Sequence, residues 1–431
     1  MDTPFDHNSL SLFLRTYYKS IFPYKQYLKW MTYGLKFSEY CAYREFAFIL
    51  HGDIHLRYKN FYDSAMFERE LCNTNPEKLD IGAIYNHHPR EHKKHLDMKA
   101  LERELIFDID LTDYSGVRHC CGEATVCKKC WKFIVVGVKV LDYLLAEDFG
   151  FQARMWVFSG RRGVHCWVAD KAARQLDNEG RGTVAEYLNL YEGNKPNVMV
   201  NVSDDECEDD LDRSKLRQRG GPSAQYVPHV VQRAYRKMME SGVMDDLVHE
   251  QGWLSDGKLD DVHKCFPQAS DSLKEEIRVL KDLSEKNRWV ALKRRYDEVE
   301  RAKAEKKGLN VPAAPSEQDR YFLYYFVIHY AFPRLDIHVS TGVNHLLKSP
   351  FCIHPKTGNV AVPLNTDKIH EFDVTSAPRI DKLIKELNES NSNAMETDEN
   401  VQSQPGYKRT SLAPFVENFE RFVTNAVASE K

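Results

Sequence analysis

The run Leu105-Ile-Phe-Asp-Ile-Asp-Leu111 constrains this chain more than any other stretch. Successive side chains of a strand turn to opposite faces, so Asp108 and Asp110 share one face while Phe107, Ile109 and Leu111 share the other. Apolar neighbours on both sides predict a buried strand. Two like charges side by side repel by about 1 kcal/mol even when well solvated, and a buried strand tolerates unpaired carboxylates poorly. A divalent cation between them is the simplest relief. A sheet edge that merely ends in acids is the plainer alternative.

Other strand patterns fall at 46–50, 54–58, 155–159 and 164–168, with a helix from about Trp131 to Glu147 between them, which predicts a mixed sheet with helices. The length of 431 residues and a hydrophobic fraction of 42% suffice for a large core. No apolar run approaches the roughly 18 residues a membrane span needs. The start, Met1-Asp-Thr-Pro-Phe-Asp, has neither the basic nor the apolar part of a secretory leader, so the expectation is an intracellular chain that does not span a membrane. A formal charge of -4 excludes a uniformly basic coat, and any contact with phosphate must come from local clusters.

Beyond about residue 190 the pattern changes. Residues 203–212 are strongly acidic and read as a loop, and 228–307 are rich in Glu, Lys and Arg with the sparse apolar spacing of a small helical subdomain. Pro333-Arg-Leu-Asp-Ile-His-Val339 alternates again, placing Asp336 on a strand face with Arg334 and His338. The helical block is therefore an insertion: 1–189 and 319–387 form a discontinuous mixed-sheet body, and 190–318 a helical subdomain. Residues 388–409 read as a disordered linker, and 410–431 as a C-terminal helix with Phe415, Phe419 and Phe422 on one stripe.

Four clusters carry chemistry. Asp108 and Asp110, with Asp336 as a candidate third member, have the donor set for two divalent ions. Trp156-Val-Phe-Ser-Gly-Arg-Arg-Gly-Val-His-Cys-Trp167 joins two strand patterns by a turn in which Ser159, Arg161, Arg162 and His165 can hold a polyanion while Gly160 and Gly163 permit close backbone approach. The segment 337–366, up to Asp367, has no acid yet carries Lys348 and His354 on partly buried backbone. His119-Cys-Cys-Gly-Glu-Ala-Thr-Val-Cys-Lys-Lys-Cys130 brings together four of the ten cysteines, and Cys120, Cys121, Cys127 and Cys130 can close a thiolate tetrahedron around structural zinc. His119 could replace one of the paired cysteines.

In this order, Phe-Asp-Ile-Asp, the cysteine knuckle, Ser-Gly-Arg-Arg-Gly-Val-His-Cys-Trp, Phe-Pro-Arg-Leu-Asp and Asn-His-Leu-Leu-Lys-Ser-Pro-Phe resemble the small, catalytic subunits of eukaryotic DNA primases. Ser411-Leu-Ala-Pro-Phe415 adds to the likeness. The resemblance implies an α+β archaeo-eukaryotic primase fold, mixed sheets flanked by helices, with an inserted helical subdomain and a zinc motif over 119–131. It implies synthesis of short RNA primers on single-stranded DNA from ribonucleoside triphosphates, with magnesium or manganese. By resemblance Asp108, Asp110 and Asp336 match the catalytic metal triad; Ser159, Arg161, Arg162, His165, Lys348, His354 and Arg57 match nucleotide-binding residues. Glu45 and Lys78 fall on motifs near that site, and the four cysteines match zinc ligands. An iron–sulfur-bearing large subunit, a DNA polymerase alpha assembly and a nuclear location are implied with it. A two-metal nuclease, or a zinc-bearing scaffold that binds nucleic acid without chemistry, are the competing readings.

Overall fold

The structure, a computed structural model, describes residues 4–193, 195–203, 223–397 and 404–430. Two antiparallel sheets carry the candidate site. The first contains β1 (Arg44–Leu50), β2 (Ile54–Lys59), β3 (Lys78–Tyr85) and β4 (Ala100–Glu102). The second contains β5 (Leu105–Asp110), β6 (Arg154–Phe158) and β7 (Gly163–Val168). Two-stranded antiparallel sheets pair β8 (Tyr191–Glu192) with β9 (Lys195–Pro196) and β10 (Val200–Ser203) with β11 (Ser223–Tyr226). The last strand, β12 (Leu347–Lys348), joins the first sheet, whose order is β12-β3-β1-β2 with β4 also on β3; the second runs β5-β7-β6.

β5 is buried at Leu105, Ile106, Phe107 and Ile109, and half-open only at Asp108 and Asp110. Beneath it lies the helix Lys128–Glu147, whose apolar residues are buried almost all round. The helix approaches closely because Gly137 has no side chain: a Cβ there would stand 3.0 Å from Ile109 and 3.3 Å from Pro333. The acids are thereby confined to the open face.

A buried ion pair helps fasten one sheet to the other. Arg44 on β1 and Glu104, just before β5, are both fully buried and meet through two bonds of 3.0 Å. Tyr33 also donates its hydroxyl to Glu104. Burial pushes the Glu104 carboxyl up, but the Arg44 charge and these hydrogen bonds outweigh it and hold the group at about 2. A folded value below the ordinary 4.5 means that the stabilisation is present above pH 4.5 and is lost as pH falls toward 2. Glu104→Ala strands the Arg44 charge in the core and is expected to cost about 3–5 kcal/mol in denaturant unfolding.

The helical part contains His229–Met239, Met244–Glu250, Asp271–Val279, Glu285–Tyr296 and Glu298–Lys306. It docks on the central helix, where Lys132 pairs with Asp246 and Glu250 at 2.8 and 2.9 Å. At the far end of the chain Ala413–Ala428 starts with Pro414 in its first turn and buries Val416, Phe419 and Phe422. The Trp30 ring meets Trp167, Phe419 and Phe422 at 5.4, 5.7 and 5.6 Å. This joins the amino-terminal helix Tyr24–Thr32 and the carboxy-terminal helix to β7.

Two expectations are corrected. Asp336 is not on a strand: it caps the short helix Ile337–Thr341, its side chain accepting from His338 N at 3.1 Å. Pro333 cannot donate to a ladder, and the Arg334 guanidinium turns inward to the carbonyls of Phe332 and His329, which breaks the alternation. The stretch 388–409 is not a linker throughout. The helix Ile380–Thr397 runs into it from buried Ile380, Leu383 and Leu387, because a nucleated helix extends at low cost. Its far end, Gly406–Arg409, buries Tyr407. The acidic run lies almost entirely outside the described residues, which include of it only Ser203 at the end of β10. Among the described residues no helix is long and apolar enough to cross a membrane.

Candidate active site and zinc centre

Asp336 reaches β5 because the free edge of that strand is covered by 336–340. Asp336 N donates to Asp108 O at 3.4 Å, and Ser340 Oγ to Ile106 O at 2.6 Å. The opposite edge of β5 pairs with β7, which sets Asp108 opposite His165 and Asp110 opposite Gly163. A Cβ on Gly163 would lie 2.4 Å from Ile109 O, so only glycine lets the turn sit this close to the acids.

The acids have different surroundings. Asp110 accepts from Thr112 N at 2.9 Å and Thr112 Oγ1 at 2.8 Å, and Arg162 Nε reaches its two oxygens at 2.9 and 2.8 Å. Asp108 faces His165 Nε2 at 3.6 Å. Burial, then the charges of Asp110, Asp336 and Asp113, push the Asp108 carboxyl up to about 7 against the pull of Arg162. Such a shift marks a site short of positive charge, and the donors are carboxylate oxygens suited to magnesium or manganese. The residues present fit those ions. Their oxygens are not drawn together within 4.8 Å as the cysteine sulfurs are, and Asp110 is engaged by Arg162 and Thr112.

Asp113, on the turn Leu111–Tyr114, is a fourth acid of this site that sequence reasoning missed. Burial and the charges of Asp110 and Asp336 push its carboxyl up. Its spacing of three from Asp110 was the available signal, visible only if the strand is known to end in a turn.

The turn after β6 is held from the first sheet. Lys348, on β12 opposite Asp80, donates Nζ to Ser159 O at 2.8 Å. Thr357 and Asn359 donate to Gly160 O at 2.8 and 3.2 Å, and Ser159 Oγ accepts from Gly163 N at 3.2 Å. Gly160 has φ 90°, and a Cβ there would meet His354 at 2.7 Å. Burial, then the Lys348 charge, push both His165 and His354 down to about 3; Arg161 and Lys78 add to the effect on His354. Both imidazoles are neutral at physiological pH. His354 Nδ1 is buried with no hydrogen-bond partner among the described residues. A crowded cationic turn with an orphaned donor or acceptor is equipped to hold an anion.

Arg57 lies on β2. Its Nε and Nη2 meet Glu45 at 3.0 and 3.2 Å, and Glu45 also accepts from Tyr58 N at 3.2 Å and Tyr85 OH at 3.1 Å. Glu45 is fully buried while the Arg57 side chain is 39% exposed. Glu45 therefore works behind Arg57, fixing its orientation. Lys78 starts β3 and stands 3.7 Å from Asp53.

The cysteines gather before the central helix. Cys121 Sγ lies 3.8, 3.8 and 3.5 Å from the sulfurs of Cys120, Cys127 and Cys130, and Cys127 Sγ lies 3.8 Å from Cys130 Sγ. A zinc–sulfur bond of about 2.3 Å in a tetrahedron requires sulfur separations of about 3.8 Å. The cluster fits zinc without the His119 imidazole, while the His119 backbone N donates to Gln251 Oε1 at 2.8 Å.

Comparison with known proteins agrees with this geometry. The model of the family described as DNA primase small subunit matches residues 107–366. A DNA primase small subunit of Caenorhabditis elegans is 46% identical over 421 residues, covering 96% of this chain and 97% of the relative. Those of Drosophila melanogaster and Saccharomyces cerevisiae are 35% and 33% identical, covering 97% and 96% of this chain and 92% and 91% of the relatives.

Proposed function

The chain belongs to the family of DNA primase small subunits, and from that premise we propose that it synthesises short RNA primers on single-stranded DNA from ribonucleoside triphosphates. The observation that carries the reading is the meeting of Asp108, Asp110 and Asp336 with the turn that Lys348 holds from the other sheet. Asp108, Asp110 and Asp336 would hold two magnesium or manganese ions. When bound, such ions activate the attacking 3′-hydroxyl and neutralise charge on the phosphates.

The protein's own groups bind and orient. Arg162 places a positive charge on Asp110 and Lys348 places another on the turn, at Ser159 O, where Ser159, Arg161 and His354 also lie. Buried His165 and His354 are neutral, so each can donate one N–H to a phosphate oxygen without adding charge. Arg57, oriented by Glu45, adds a further phosphate contact, and Lys78 at the start of β3 another. Zinc on the four cysteines is structural, because four thiolates leave no open position. The catalytic body is 1–189 with 319–387, and 190–318 is the helical subdomain. The chain works in the nucleus with an iron–sulfur-bearing large subunit and DNA polymerase alpha.

Equilibrium binding of a labelled ribonucleoside triphosphate in magnesium tests the reading. Arg162→Ala and Lys348→Ala each remove charged hydrogen bonds worth about 1.5–3 kcal/mol and should weaken affinity about 10- to 100-fold. Unchanged affinity in both places the triphosphate elsewhere. Glu45→Gln should raise KM for the nucleotide while leaving kcat near wild type, since it loosens Arg57 without touching the reacting atoms; an unchanged KM removes Glu45 from the account.

A further inference from the structure

The loop between β3 and β4 holds a cluster that neither the carboxylates nor the thiolates use. We propose that His87, His95 and Asp97 bind a divalent transition-metal ion, zinc first among the class. One ligand atom from each lies within 4.8 Å of the other two. His87 Nε2 stands 3.0 Å from Asp97 Oδ2, and the imidazoles of His87 and His95 stack at 3.8 Å with 6° between planes. Glu91, which pairs with Lys94 at 3.1 Å and stands 3.9 Å from His95 Nε2, lies outside this group of three.

The loop is tied at its neck, which brings its two ends together. Asn86 N donates to Lys99 O at 3.1 Å, Lys99 N to Asn86 Oδ1 at 2.8 Å, and Asn86 Nδ2 to Asp97 O at 3.0 Å. His87 and Asp97 flank that neck and so face each other before any ion arrives. The hydrogen bond between them does not need His95. A ligating lone pair lies in the plane of its ring, so one of the two nearly parallel imidazoles tilts out of the stack when both take the same ion.

Two imidazoles with one carboxylate suit zinc, nickel, copper or iron, whereas magnesium takes oxygen donors. The three side chains are 28%, 33% and 73% exposed, so a position stays open to water. His92 of the same loop stacks on Tyr58 at 3.9 Å, and the Arg57 guanidinium lies 4.9 Å from that ring. A bound ion would brace the loop against the strand that carries Arg57.

The test is a cobalt(II) titration of the full chain already loaded with zinc on its cysteines, in excess magnesium to occupy all-oxygen sites. The expected result is one further equivalent bound, with weak visible bands and none of the near-ultraviolet absorption of a cobalt–thiolate bond. His95→Ala should weaken that binding about tenfold or more. The double variant His87→Gln with His95→Gln should abolish it at unchanged melting temperature. The proposal is overturned if wild type takes up no further ion, if the only new bands are those of cobalt displacing zinc from thiolates, or if the double variant binds as wild type does.

Discussion

Asp336→Asn is expected to reduce dinucleotide formation by about 10³-fold or more while leaving the melting temperature where it was. Asparagine caps a helix as well as aspartate does, so the bond from His338 N can persist. What the substitution removes is one of three negative charges around Asp108. At the proposed two-metal site, loss of one carboxylate forfeits several kcal/mol of charge stabilisation in the transition state, and each 1.4 kcal/mol is about tenfold in rate. Dinucleotide synthesis and a thermal melt on the same preparations separate the two effects. Wild-type synthesis by Asp336→Asn would remove this residue from the metal site.

The second large effect is on stability. Cys127→Ser, or removal of zinc with a chelator followed by restored magnesium, is expected to destabilise the chain by several kcal/mol, because binding energy at a thiolate zinc site is folding energy. The reason for so large a loss lies in what the cluster anchors. Cys130 opens the central helix, and Trp131 beside it packs against Phe158 and Phe372 at 5.9 and 5.2 Å and donates to Ile369 O at 3.3 Å. On the other flank Gln251 accepts from His119 N and Cys120 N, and Trp253 donates to Val117 O. Freed thiols loosen the helix start, the second sheet and the helical block together. Nucleotide affinity of the fraction that stays folded should match wild type. A zinc-free chain of ordinary stability would refute the structural role.

Local features of the sequence were readable because their physics is local. The two-residue period of a strand put Asp108 and Asp110 on one face, while their register against β7 is a tertiary fact the period does not fix. The cysteine spacing marked four sulfurs that gather, and Gly160 and Gly163 marked a turn where backbone approaches backbone. Asp336 was legible as a residue type but not in its backbone. An alternating pattern reads as a strand, yet Pro333 and an inward-turning Arg334 make the segment a helix cap. That it covers the free edge of β5 is a tertiary fact with no sequence signal. Glu45 could be recognised near the site but not as the residue behind Arg57, since that depends on the pairing of β1 with β2. The helix running past residue 388 was hidden because Asn, Ser and Glu are poor evidence of burial, and the buried stripe that nucleates it lies upstream.

The central claim is that one set of carboxylates on β5 and at Asp336 drives templated addition to a nucleotide held by the turn after β6. Its most direct measurement is incorporation of labelled ribonucleotides on a single-stranded DNA template, comparing the wild-type chain with Asp110→Ala, each with and without its large subunit. Short, template-dependent, magnesium- or manganese-dependent RNA products are expected from wild type and none from Asp110→Ala in either setting. Primers made by Asp110→Ala at the wild-type rate, or no metal-dependent incorporation by wild type even with the large subunit present, would contradict it.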